Sequence, residues 1–184
     1  MRTAIVLLTA LLLACTSGPT PSPPPQCDQL CLDGVAVLGM RLTLKQIFNQ
    51  TLQGKPVGVQ DKRYTCPLGG TARVVGTATS NAIQGATEVT LVYELDGCVL
   101  IARDTDPKSN YHLSTSGTVT QIGTIAVQPT ATTSLGMKSD ALTITGTVYD
   151  PPVPYEVTTC PLVSLQDGNT VTGTICGRDF STTL

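Results

Sequence analysis

From Gln29 to Gln53 the apolar residues Val37, Met40, Leu44, Ile47, Phe48 and Leu52 recur at steps of three and four. That spacing marks one face of an α-helix. Asp33 is the expected N-cap, and Gly54 followed by Pro56 supplies the stop, so the helix is placed at about 33–53. Gly39 is its weak position. The stripe reads as a core face: only Arg41 and Lys45 are basic within it, too few for a helix lying on anionic lipid.

From Thr71 onward the period falls to two. Val89, Leu91, Tyr93 and Leu95 alternate with Glu88, Thr90 and Glu94; Leu142, Ile144, Gly146 and Val148 alternate with Thr143, Thr145, Thr147 and Tyr149. Such alternation belongs to half-buried antiparallel strands. Further strands are expected at Thr71–Thr79, Cys98–Arg103, Tyr111–Thr120, Ile122–Gln128, Tyr155–Cys160 and Thr170–Cys176. Turn signals at Asp96-Gly97, Asp106-Pro107, Asp150-Pro151-Pro152 and Asp167-Gly168-Asn169 separate them. The expected fold is mainly β (α+β): about eight antiparallel strands in a curved sheet, sandwich or half-barrel, with one N-terminal helix. Thr65-Cys66-Pro67-Leu68 recurs as Thr159-Cys160-Pro161-Leu162, each ahead of a Val/Thr strand. The recurrence fits a divergent duplication, or chance in a Thr/Gly-rich chain.

Composition agrees with this picture and narrows the function. The chain has 184 residues, enough for one ordinary domain. Thirty threonines and 17 glycines favour strands and turns. Charged residues make up 13%, well below the usual share, which argues against a helical bundle. A net charge of −2 leaves no basic footprint for nucleic acid.

The N-terminus has its own pattern. Arg2 precedes an apolar run from Ala4 to Ala14 broken only by Thr9. The run is shorter than the roughly 20 residues that span a bilayer and is shaped like a signal peptide. Leu12-Leu13-Ala14-Cys15 resembles the lipobox of bacterial lipoproteins. The resemblance implies cleavage after Ala14, a diacylglyceryl thioether on Cys15 and acylation of the new N-terminus. More than one acyl chain anchors a protein stably, so the membrane is the expected partner. Thr16 stands where an Asp would signal retention at the inner membrane, which favours the outer one. Residues Thr16–Gln26 include five prolines and read as a polyproline tether about 30 Å long. The expected division is therefore signal peptide 1–14, lipidated Cys15 and tether 15–26, and one domain at 27–184.

With Cys15 set aside, Cys27, Cys31, Cys66, Cys98, Cys160 and Cys176 remain. An even number suits disulfides in an oxidising compartment. Sequence neighbours suggest Cys66–Cys98 and Cys160–Cys176, leaving Cys27–Cys31. A bridge between positions four apart would strain a regular helix, so Cys27 is expected ahead of it. The alternative, zinc, lacks any CxxC pair, and the one histidine, His112, is far from every cysteine. No metal or cofactor is expected. The lipobox, the tether, the helix, Cys-Pro-Leu-Gly-Gly at 66–70 and Gly-Thr-Ile-Cys-Gly at 173–177 together are similar to uncharacterised, Cys-containing β-rich envelope lipoproteins of myxobacterial type. That likeness carries no activity and no site residue.

Candidate chemistry is sparse. A Ser-His-Asp hydrolase would need His112, whose surroundings contain no GxSxG elbow. Asp104 and Asp106 stand between Arg103 and Lys108 in a polar turn. As a calcium loop that segment fails at position five, Lys108, and at position twelve, Thr115. Seven aromatic residues make poor stacking platforms. The leading expectation is a non-enzymatic envelope module, structural or interacting, with an undetermined protein or lipid partner. The second is a half-barrel that binds acyl chains or lipoproteins, by fold analogy alone; the third is a hydrolase using His112.

Overall fold

The computed structural model describes residues 27–81, 85–129 and 131–184. The expected signal peptide, Cys15 and the expected tether lie outside them. One helix, α1 (Gln29–Thr51), precedes eight strands: β1 (Gly58–Thr65), β2 (Thr71–Asn81), β3 (Ala86–Ala102), β4 (Tyr111–Ala126), β5 (Ser134–Val148), β6 (Val153–Asp167), β7 (Thr170–Ile175) and β8 (Arg178–Thr183). They form one antiparallel sheet in strict sequence order, with β1 and β8 as its free edges. A 3₁₀ turn, Pro107–Ser109, lies between β3 and β4.

The helix starts four residues earlier than the expected position of its cap. Asp28, not Asp33, is the N-cap, and its carboxylate accepts the Cys31 N–H at 2.9 Å. Asp33 sits inside the helix, fully buried. Cys27 lies ahead of the cap and is bridged to Cys31. Met40, Leu44 and Ile47 are wholly buried, each contributing about 1.5–3 kcal/mol of transfer free energy. Gly39 has a packing reason: a Cβ there would press on the Leu113 side chain and the Tyr111 ring of β4.

Sheet curvature follows from what α1 touches. The helix contacts β3, β4 and β5 in the middle of the sheet and also both edges, β1 and β8. A flat eight-stranded sheet would be about 34 Å wide, and a helix is only about 10–12 Å across. The sheet must therefore curl around α1. Residues 33–41 are buried on nearly every side of the helix as a result.

A row of irregularities crosses the sheet and turns its four long strands. The register shifts between Leu95 and Cys98 in β3, between Ser116 and Thr120 in β4, and around Leu142 in β5, opposite Cys160 of β6. Inward-facing positions change parity there: Leu95 then Cys98 in β3, Ser139 then Leu142 in β5, Val157 then Leu162 in β6. Bulges bend strands and let one chain line two differently directed surfaces. The expected turn at Asp96-Gly97 is thus a bulge, and β3 runs through it. The other three turn signals do fall between elements. Gly146 shows how close the strands come; its φ is 144°, and a Cβ would fall on the His112 carbonyl oxygen.

The disulfides pin the two outer hairpins to this row. Cys66, in the β1–β2 turn, is bonded to Cys98 just past the β3 bulge. Cys160, beside the β6 irregularity, is bonded to Cys176 in the two-residue β7–β8 turn. The first Cys-Pro-Leu lies in a turn and the second lies inside a strand. The bridges are therefore related by reversal of chain order, which a simple duplication would not produce.

Candidate functional site

A cavity of 590 Å³ opens between the C-terminal half of α1 and the strand ends that face it. Its floor is polar. Arg41 of α1 is 5% exposed, Gln121 of β4 is 1% exposed, and Gln166 of β6 is also buried. Phe48, Leu52 and Ile125 form an apolar wall beside them. Lys45 and Lys55 stand on the exposed rim, and among the described residues no Asp or Glu side chain lines the cavity.

Hydrogen bonding fixes the floor and leaves part of it unpaired. Arg41 Nε donates to Gln166 Oε1 at 2.6 Å. Gln166 Nε2 donates to the Gly168 carbonyl at 2.7 Å, which sets the orientation of that amide. Tyr93 donates its phenol to Gln121 Oε1 at 3.0 Å. Burial raises the Tyr93 pKa, so this hydroxyl stays a donor. Gln121 Nε2 is then buried with no partner. Among the described residues Arg41 pairs with no carboxylate. Burial pulls its pKa below the ordinary guanidinium value, an effect that the neighbouring Tyr93 partly opposes. Taking a charge out of water costs several kcal/mol unless a partner offsets it.

A second buried charge, one end of α1 away, is treated quite differently. Asp33 accepts two bonds from Arg178 of β8, at 2.7 and 2.8 Å, one from Tyr155 of β6 at 2.8 Å and one from Gln29 at 3.0 Å. Burial would raise the Asp33 carboxyl, but these bonds and the Arg178 charge outweigh it and hold its pKa below the ordinary value. All its partners are satisfied and it faces no large cavity. It is a clamp between the helix start and the far edge of the sheet.

The other sequence candidates are scattered. His112 is exposed on β4, in a shallow depression with Ile101, Arg103, Asp104 and Tyr149. Among the described residues its side chain makes no hydrogen bond or ion pair. Asp104 accepts the Thr105 and Asp106 N–H groups, and Asp106 accepts the Lys108 N–H. Asn110 closes that loop through the Asp104 and Asp106 carbonyls. Both carboxylates are therefore used to shape a turn. The six domain cysteines are all in bridges. Arg41, Gln121 and Gln166 were not singled out by sequence as a site. The available signal was polar residues at inward parity, Gln121 two after Val119 and Gln166 two after Ser164, because a buried polar group is the informative one.

Comparison with protein-family models, curated proteins and solved structures finds no match to the chain.

Proposed function

We propose that this chain is an envelope lipoprotein, anchored through Cys15 at the outer membrane, whose domain binds a small molecule in the cavity under α1. It is a binding module with no catalytic step. The cavity carries the reading. Its volume of 590 Å³ falls within the roughly 300–1,000 Å³ of small-molecule sites, and it combines an apolar wall with a few convergent polar groups. The anchor is supported by Leu12-Leu13-Ala14-Cys15 and the Pro-rich stretch behind it. Three disulfides suit an oxidising compartment. No helix among the described residues is long and apolar enough to cross a membrane.

A second reading, a protein-interaction module, rests on the convex face. Ile122 (55% exposed) and Leu165 (66% exposed) stand beside each other across Gly136 of β5. Two experiments separate these readings. Labelled palmitate fed to a bacterial host should enter the wild-type chain and fail to enter Cys15→Ala; equal labelling removes the anchor assignment. Solvent extraction of the purified full chain should recover a small molecule in near-stoichiometric amount. Ala78→Phe, on the cavity wall, should lose most of it. An extract with nothing bound favours the interaction module.

A further inference from the structure

The polar floor is one-sided in a way that specifies a ligand. It presents donors: the Arg41 guanidinium, which among the described residues is bonded only through Nε to Gln166 Oε1 and meets no carboxylate, and Gln121 Nε2, which has no partner. The rim adds two more cations, Lys45 and Lys55, and among the described residues no acidic side chain. This local excess runs against the chain's net charge of −2. Leu184 also lines the wall. Where an arginine of this protein has a structural role, as Arg178 has, it meets a carboxylate with both arms. Arg41 lacks that partner although it is more deeply buried.

We infer that the cavity takes an amphiphile with an oxyanion head, a carboxylate or a phosphate monoester, seated on Arg41 and Gln121 with its short apolar part against Phe48, Leu52 and Ile125. The inference rests on the small-molecule reading above and adds the class of ligand. A planar guanidinium matches either head through paired N–H donors. A charged hydrogen bond in a desolvated site is stronger than its neutral counterpart. The rim lysines raise the local concentration of anions and so favour entry. Ordered water is the competing occupant, since a polar cavity of this size holds it readily.

Calorimetric titration of the full-length protein in a non-ionic detergent tests this, with hexanoate, hexyl phosphate, hexanol and inorganic phosphate as probes. One of the two anionic amphiphiles should bind at least roughly tenfold tighter than hexanol, and the tighter of them identifies the head. Arg41→Met should erase the preference. Arg41→Lys, which keeps the charge and loses the fork, should retain part of it. Hexanol binding as tightly as both anions overturns the inference while leaving the small-molecule reading in place. Inorganic phosphate binding as tightly as hexyl phosphate overturns the amphiphile. An Arg41→Met protein that keeps the anion preference overturns the seat. If no probe binds and solvent extraction yields nothing, both the inference and the reading beneath it fall.

Discussion

Replacing Cys66 and Cys98 together by Ala should lower folding stability by about 3.7 kcal/mol at 25 °C. The figure is the loop-closure entropy released when a bridge across 32 residues is removed. Alanine avoids burying new hydroxyls at two positions that are almost wholly buried. The same treatment of Cys160 and Cys176, 16 residues apart, should cost about 3.1 kcal/mol. Domains of this size are stable by only about 5–15 kcal/mol, so either loss is a large fraction of the total. The β1–β2 turn would keep one backbone tie to β3, from the Val99 N–H to the Gly69 carbonyl at 3.0 Å. The variant should therefore fold and unfold at lower urea. Urea midpoints for the two double variants decide the matter. Unchanged midpoints, or a larger loss from the shorter loop, would contradict the account of the bridges as pins on the outer hairpins.

Arg178→Met should cost about 2–3 kcal/mol, because it leaves the Asp33 carboxylate buried with only Tyr155 and Gln29 donating to it. Breaking a fully buried pair costs about 3–5 kcal/mol; the Arg178 side chain is 41% exposed, which places this case lower. The loss should depend on pH. Asp33 has a lowered pKa in the folded protein, so the unfolded chain takes up its proton first as pH falls. The stabilisation is complete well above the ordinary carboxylate value of about 4 and disappears as pH drops through the folded value. Stability curves of wild type and variant should stay apart at neutral pH and converge below about pH 4. A gap that persists undiminished at low pH would show that Arg178 acts through packing alone.

The legible part of the fold was the part governed by alternation. The inward residues 89–95 of β3 and 142–148 of β5 can be read directly because apolar and polar residues take turns there, whereas residues 134–140 of β5 and 161–167 of β6 lie outside the expected strands. The strands missed were the edges. β1 reads Gly-Val-Gln-Asp-Lys-Arg-Tyr-Thr and β8 reads Arg-Asp-Phe-Ser-Thr-Thr. Polar and charged residues blunt an exposed edge against further pairing, and the same residues hide the strand from a hydrophobic pattern. Asp96-Gly97 misled for a related reason: the chemistry that makes a turn also makes a bulge. Asp33 reads as a cap because it precedes the apolar stripe, whereas the helix begins a turn earlier and buries it beside Arg178. The cavity floor was the least visible. Arg41, Gln121 and Gln166 are separated by 45 residues or more, and only the curl of the sheet around α1 brings them to one place.

The floor also bears on the proposed binding role. A guanidinium at this depth with one amide partner and no carboxylate weakens the empty protein, and sites kept for binding often carry such a stability cost. Replacing a buried ion pair by well-packed apolar residues often gains about 1–4 kcal/mol, and a guanidinium with no carboxylate lacks even the attraction that offsets its desolvation. The urea unfolding midpoint of Arg41→Met, measured against wild type with the cavity emptied by solvent extraction and refolding, is the direct test. A ligand-binding floor predicts a higher midpoint for the variant, by on the order of 1 kcal/mol. A lower midpoint would mean that Arg41 holds the fold together, and would contradict the assignment of this cavity as a site.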